Sequence, residues 1–219
     1  MDTSLTVSVI IPTYNRPEKL VRCAESVLQQ KRLPEEIVVV NDASTCSYER
    51  TIDRLKQLVQ ACNGRTDLRY VYLDEGGGGS YARNQGAQHS EGDVIMFLDD
   101  DDTWLPAKIA RQQAILEAND NVGLVYSGRR VVNEEGELLY CIEVDRSGDI
   151  FVDLLQRNCI GTTSSVAIRA EHFRRIGGFD ETLPAMQDYE LWIRIARRTR
   201  VACDPAHTVN WTVHATASN

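Results

Sequence analysis

Four adjacent acidic residues, 99–102, directly follow the apolar run VIMFL. Carboxylates this close repel one another and would destabilise a bare strand end. A hard divalent cation relieves this repulsion, and Mg²⁺ or Mn²⁺ typically uses one or two carboxylates together with substrate phosphates. A solvated acidic turn before the helix that begins near Pro106 is the alternative interpretation. Because the run follows a predicted strand, we favour a functional site.

Polar residues also follow two earlier apolar runs. Thr13 and Tyr14 come after LTVSVIIP, and Asn41 and Asp42 come after EIVVV. In sheets of parallel strands, ligands bind beyond the carboxyl ends of the strands. We therefore expect these side chains and the acidic run to share one cleft.

The elements that position these residues alternate along the first half of the chain. Near-continuous apolar strands that alternate with helices are typical of a parallel sheet covered on both faces. Strands are predicted at 5–11, 36–40, 68–73 and 94–98, and helices at 17–30, 48–62, 81–89 and 106–118. The second half predicts a hairpin of strands 123–133 and 137–144, a strand at 164–169, and helices at 149–157, 170–176 and 188–198.

Composition restricts the class of protein. The 219 residues are 42% apolar and 26% charged, as in an ordinary globular chain. The net charge of −8 disfavours a nucleic-acid partner, because such binders normally show a basic surface. The six cysteines have no CxxC or zinc-like spacing, so we expect reduced thiols. With no basic signal-peptide region and no apolar run near the ~20 residues that span a bilayer, the sequence predicts a soluble, cytoplasmic protein.

Six motifs give the chain a family resemblance. SVIIPTYNR, EIVVVNDAS, ARNQG, GDVIMFLDDDD, GGFDE and QDYELWIR occur in this order. The order resembles that of family 2 inverting glycosyltransferases of the GT-A fold, from about residue 7 to residue 214. The resemblance implies an α/β fold with a mostly parallel sheet flanked by helices. It implies one domain over 1–219, with a nucleotide-sugar half (1–104) and an acceptor-binding, catalytic half (105–219).

The resemblance also assigns the nucleotide site. The implied nucleotide-binding residues are Pro12, Thr13, Tyr14, Arg16, Asp42, Arg83, Asn84, Asp99 and Asp100. Tyr14 would stack on the base, with a half-buried core aromatic as the alternative. Asp42 would accept a hydrogen bond from the uracil ring N–H, which discriminates against bases that lack this donor. An Asx turn is the alternative for Asp42.

The metal is the second implied ligand. By resemblance, Asp101 coordinates Mn²⁺ or Mg²⁺ on the diphosphate, and His214 matches a late histidine that joins the metal or diphosphate in some members. The four-acid run leaves the register uncertain by one residue. The glycines of 76–79 resemble a phosphate cradle, but no Gly-Lys-Ser/Thr pattern follows, so we interpret them as a flexible loop near the site.

Asp188 is the candidate general base. Inverting transfer is a single displacement, so a carboxylate must take the proton of the acceptor hydroxyl. The family usually has Glu before this Asp, and Gln187 stands there instead. The alternative is that Asp188 has no catalytic role and is present because the helix dipole favours an acid in the first turn of a helix. Trp104 and Trp192 either line a sugar subsite or pack in the core.

These residues imply an inverting glycosyltransferase. It would move a sugar from a nucleoside diphosphate sugar, with UDP preferred, to a glycan, a lipid-linked acceptor or another hydroxyl. A catalytically degenerate sugar-nucleotide-binding module is the non-enzymatic alternative. A nucleotidyltransferase is a further alternative, although PTYNRPEKL lacks the glycines of its signature. Peripheral attachment to the inner face of the membrane and homo-oligomer formation are left open.

Overall fold

The computed structural model describes residues 4–214, which form a nine-stranded sheet flanked by helices. The strands are β1 (Val7–Thr13), β2 (Glu36–Asn41), β3 (Asp67–Tyr72), β4 (Val94–Phe97), β5 (Thr103–Trp104), β6 (Val122–Val132), β7 (Leu138–Ile142), β8 (Val166–Arg169) and β9 (Arg200–Thr212). The helices are α1 (Pro17–Leu28), α2 (Glu49–Gln60), α3 (Gly78–Gln88), α4 (Lys108–Glu117), α5 (Phe151–Gln156), α6 (Ala170–Arg175) and α7 (Gln187–Ala196), and a 3₁₀ turn covers Thr163–Ser165.

Parallel pairing brings the polar strand ends together. β1 lies between β2 and β4, and β3 pairs with the other edge of β2, all in parallel. Thr13 pairs with Asn41 in register, so the residues that follow β1 and β2 emerge side by side. The central strands are buried along their whole length, as the near-continuous apolar runs predict.

The second half of the chain extends the same sheet with mixed directions. The strand order is β3-β2-β1-β4-β8-β6-β9-β5, and β7 pairs with β6. β8 is antiparallel to β4 and β6, whereas β9 runs parallel to β6. One apolar core lies on each face of the sheet. The predicted α/β class is therefore confirmed.

Two local predictions are wrong. The glycines of 76–79 are not simply a flexible loop, because α3 begins at Gly78. The 13-residue strand β9, which follows the last predicted helix, was not expected at all.

Three further expectations concern the two tryptophans, the cysteines and the membrane. Trp104 and Trp192 are only 3% and 0% exposed, which places both in the core. All six cysteines are free. Between residues 4 and 214, no helix combines the length and apolarity that a bilayer crossing requires.

Candidate active site

A cavity of about 340 Å³ opens at the carboxyl ends of β1, β2 and β4. Its lining residues are Pro12, Thr13, Tyr14, Arg16, Asp42, Gly79, Ala82, Arg83, Asp99, Asp100 and Asp101. Eight of the nine residues assigned to the nucleotide thus line one cavity, which also contains Asp101. Tyr14 is 54% exposed, so it is not a core aromatic.

Arg16 joins the loop after β1 to the acidic run. Its Nη1 donates to Asp100 Oδ1 at 3.1 Å and to Asp101 Oδ2 at 2.8 Å. Thr13 Oγ1 donates to the other oxygen of Asp100 at 2.7 Å. Burial raises the pKa of Asp100, while Thr13 and Arg16 oppose this rise. The hydroxyl of Tyr48 lies 2.8 Å from Thr13 Oγ1 and accepts from the Arg16 backbone N–H at 2.9 Å, which fixes the loop.

Asp99 is held from two other elements. Arg83 of α3 donates to its Oδ1, and Thr163 of the 3₁₀ turn donates to its Oδ2 at 3.0 Å. The Asp99 backbone N–H donates to Ser164 Oγ at 3.1 Å. The end of β4 is therefore connected both to the nucleotide half and to the second half of the chain.

Asp102 points away from the cavity and is only 2% exposed. Its Oδ1 accepts from the Thr212 backbone N–H on β9 at 2.8 Å. Burial and the charge of Asp99 raise the pKa of Asp102 well above its usual range. This acid therefore attaches β9 to the acidic run and does not cap α4.

Asp42 holds the start of α3. Its two carboxylate oxygens accept from the backbone N–H groups of Gly77 at 2.9 Å and of Gly78 at 2.8 Å. Gly78 has a φ of +78°, and a side chain at Gly79 would collide with the guanidinium of Arg83. The glycines therefore let the backbone approach Asp42 and leave room for Arg83.

Asn84 does not line the cavity, although it was assigned to the nucleotide. Its buried amide donates to the Phe179 carbonyl at 2.9 Å and to Glu181 Oε1 at 2.6 Å, and its Oδ1 accepts from the Phe179 backbone N–H. Asn84 therefore fixes the GGFDE loop.

Asp188 is the second residue of α7; it does not line this cavity, but it lies near enough to Arg83 and Asp99 for their charges to act on it. Burial is the main cause that raises its pKa. The charge of Arg83 lowers this pKa and that of Asp99 raises it. Asp188 Oδ1 accepts from the Tyr189 backbone N–H at 2.7 Å. A half-buried carboxylate with a raised pKa has the properties of a general base.

His214 connects Asp101 with the β6–β7 hairpin. Its Nε2 lies 2.8 Å from Asp101 Oδ2, and its Nδ1 lies 2.8 Å from Glu134 Oε1. Both contacts raise the pKa of His214. Within 4–214, no three or more His, Cys, Asp and Glu side chains converge as metal ligands. A carboxylate and an imidazole are present, and the remaining ligands of a metal would have to come from substrate and water.

Sequence reasoning did not find several residues of this site. Tyr48, Thr163 and Ser164 carry no motif of their own, because their role depends on hydrogen bonds to residues far away in sequence.

Comparison with known proteins identifies the family. Residues 8–177 match the family described as "Glycosyl transferase family 2". WcaA of Escherichia coli, a glycosyl transferase named for colanic acid biosynthesis, is 32% identical over 206 residues, which are 89% of this chain and 67% of WcaA. This chain belongs to glycosyltransferase family 2. It spans about a third of the length of several other glycosyltransferases that it matches.

Solved structures share the fold. TarS 1-349 of Staphylococcus aureus in complex with UDP superposes with a TM-score of 0.74 at 22% identity, over 95% of this chain and 61% of the TarS 1-349 chain. The mannosyltransferase PcManGT of Pyrobaculum calidifontis, in complex with GDP-Man and Mn²⁺, gives a TM-score of 0.66 at 20% identity, over 99% of this chain and 58% of PcManGT.

Proposed function

We propose that this chain is an inverting glycosyltransferase that moves a sugar from a UDP-sugar to an acceptor hydroxyl. In this proposal, residues 1–104 hold the donor, and residues 105–219 supply the acceptor site and the base. The observation that carries it is the single cavity at the carboxyl ends of the strands, which gathers eight of the nine residues that the family resemblance assigns to the nucleotide.

Four residues support the choice of donor. Tyr14 offers an exposed ring for the base, and Asp42 offers a carboxylate for the uracil N–H. Each carboxylate oxygen has two lone pairs, so Asp42 can hold the two glycine N–H groups and still accept from the base. Arg16 and Arg83 place positive charges in the cavity. Without them, a diphosphate there would meet the carboxylates of the acidic run, Asp99, Asp100 and Asp101.

Asp101 and His214 suit a divalent cation by ligand type. They would hold Mn²⁺ or Mg²⁺ with the donor diphosphate, and Arg16 would give up its contact with Asp101. When bound, the cation stabilises the negative charge that develops on the leaving diphosphate.

The proton passes to Asp188. The acceptor oxygen forms a bond to the anomeric carbon as the bond from that carbon to the diphosphate oxygen breaks, so the anomeric configuration inverts. Asp188 takes the hydroxyl proton, and UDP leaves with the electrons of the broken bond. Burial favours this transfer because it raises the pKa of Asp188 toward the working pH.

The Asp188→Asn variant tests the base. Asn keeps the shape but cannot take the proton, so UDP affinity should be kept, while turnover falls by about 10²–10⁴-fold. Turnover is measured as hydrolysis of UDP-glucose, UDP-galactose and UDP-N-acetylglucosamine, and as transfer once an acceptor is found. Asp180→Asn is the control, because Asp180 lies in the same region and, among residues 4–214, its carboxylate accepts hydrogen bonds from Thr182 alone. A wild-type rate in Asp188→Asn would contradict the assignment.

Calorimetry tests the donor and the metal. UDP should bind more tightly than GDP or CDP, and more tightly with Mn²⁺ than in EDTA. Equal affinity with and without the cation would exclude the metal role. Tight UDP binding without turnover of any UDP-sugar would instead favour the sugar-nucleotide-binding module.

A further inference from the structure

Arg129 on β6 forms no ion pair with any carboxylate of residues 4–214. Its Nη1 donates to the Ile160 carbonyl at 3.1 Å, its Nε is buried without a hydrogen-bond partner, and its Nη2 forms no hydrogen bond within 4–214. The guanidinium lies against the Cα of Gly161, where a side chain would collide with it. Gly161 has a φ of +97°, which also favours glycine.

Most of the described arginines that form no ion pair are exposed, whereas Arg129 is half-buried. Arg16, Arg83 and Arg111 each form an ion pair with a carboxylate, and the chain has 32 acidic residues against 24 basic ones. Partial burial of a cation costs free energy unless a partner repays it. Burial accordingly lowers the pKa of Arg129. A ligand with a negative charge would offset the free-energy cost of burying the guanidinium.

Two aromatic rings lie beside the guanidinium. The Cζ of Arg129 is 5.7 Å from the ring centroid of Trp211 on β9, and Trp211 is half-buried. Tyr140 on β7 is 54% exposed, and it pairs with Val131, two residues after Arg129 on β6, so its side chain lies on the same face of the sheet as that of Arg129. Aromatic faces beside a free guanidinium form a surface that suits a sugar carrying an anionic group.

Arg129 lies on the same side of the site as Asp188. Arg129 donates to the Ile160 carbonyl, and Trp192, one turn after Asp188 on α7, donates to the carbonyl of the next residue, Gly161. The charge of Asp188 also acts on the pKa of Arg129. In a single displacement the acceptor enters opposite the leaving diphosphate, with its hydroxyl at the base.

We propose that Arg129, flanked by Trp211 and Tyr140, binds a phosphate or carboxylate group of the acceptor. This inference rests on the proposed function and specifies its substrate class: the acceptor is anionic near the hydroxyl that receives the sugar. Arg129 selects the acceptor and presents it to Asp188.

A purely structural role predicts a different outcome. The bond from Arg129 to Ile160 holds the loop that Trp192 also holds through the Gly161 carbonyl at 3.0 Å. Loss of a structural contact would weaken anionic and neutral acceptors alike. Loss of an anion-binding contact removes only the preference for the anionic one.

The experiment uses the UDP-saturated protein with Mg²⁺, which is diamagnetic and leaves nearby resonances sharp, so that added anions do not occupy the nucleotide site. The ¹⁵N–¹H resonance of Arg129 Nε, assigned by its absence in Arg129→Lys, is followed during titration with inorganic phosphate. The affinities of glucose 1-phosphate, methyl glucuronide and methyl glucoside are then compared. The first two probes separate phosphate from carboxylate, and the third is the neutral control.

We expect the Arg129 resonance to shift, and at least one anionic probe to bind about 10-fold or more tightly than methyl glucoside, as for a hydrogen bond to a charged group. Arg129→Gln should remove this preference, Arg129→Lys should keep part of it, and Arg130→Gln on the same strand should keep all of it. Should Arg129→Gln not fold, the wild-type titration and Arg129→Lys still decide the matter.

Three results would overturn the inference: no response of the Arg129 resonance, no preference for an anionic probe in the wild type, or the same preference in Arg129→Gln. Failure of UDP to bind would reject the proposed function instead, and the response of Arg129 to phosphate would still be measurable in that case.

Discussion

The substitution Asp42→Ala separates two roles of one carboxylate. From sequence, Asp42 should read the base from a position beyond the strand end, so that its loss leaves the fold intact. The structure adds a second role, because both oxygens of Asp42 hold the turn that begins α3. We therefore expect Asp42→Ala to lower both stability and base selectivity.

The stability loss follows from the two hydrogen bonds. Hydrogen bonds to charged groups contribute roughly 1.5–3 kcal/mol each, and the lower value suits a turn at the mouth of an open cavity, which gives about 3 kcal/mol for the pair. For a chain of this size, about 2–4 °C of melting temperature corresponds to 1 kcal/mol, so the variant should melt about 6–12 °C below the wild type.

Base selectivity is measured independently of stability. Uracil presents a ring N–H at the position where cytosine presents a lone pair, so the wild type should bind UDP more tightly than CDP. In Asp42→Ala this ratio should approach one. The control is Gly78→Ala, which strains a backbone of φ +78° in the same turn but keeps the carboxylate. It should lower the melting temperature and leave the ratio unchanged.

Either measurement can refute the reasoning. If apo Asp42→Ala has the same melting temperature as the wild type, the two hydrogen bonds from Gly77 and Gly78 do not hold the turn in solution. If UDP and CDP weaken by the same factor, Asp42 is structural and the base is selected elsewhere.

Three further predictions concern charge. Asp102→Asn replaces an acid whose charged form burial disfavours and keeps an acceptor for the Thr212 N–H, so the apo melting temperature at pH 8 should stay equal or rise; a clear drop would contradict this. Turnover should fall as the pH drops through the raised pKa of Asp188, because only the carboxylate accepts a proton, and Arg83→Gln should move this limb of the kcat profile to higher pH. The affinity of the UDP complex for Mn²⁺ should fall as the pH drops through the raised pKa of His214, since a protonated imidazole cannot bind a metal. The His214→Gln variant should lose this pH dependence.

The first half of the fold could be predicted because its strands are buried on both faces. Such strands appear in the sequence as unbroken apolar runs, and the residues that follow them lie at one edge of the sheet. β9 gives no such run, because Asp204, Pro205 and His207 interrupt it. Its pairing with β6 contains several register shifts, which an alternation rule does not anticipate.

The start of α3 depends on a distant residue. Glycines have low helix propensity, so residues 76–79 read locally as a loop. The carboxylate of Asp42, 35 residues earlier than Gly77, binds the N–H groups at the start of the helix. Contacts over such a sequence separation come from the sheet register and cannot be inferred from the glycines alone.

The acidic run shows how the structure changes an electrostatic argument. Four adjacent carboxylates suggested that a cation must relieve their repulsion, yet the chain supplies most of that relief itself. Arg83 pairs with Asp99, Arg16 with Asp100, and burial favours the protonated form of Asp102. Asp101 is different, because its partners are the exposed side chains of Arg16 and His214. A metal would therefore act at Asp101 and at the diphosphate, and the dependence of UDP binding on Mn²⁺ should be lost in Asp101→Asn while Asp102→Asn retains it.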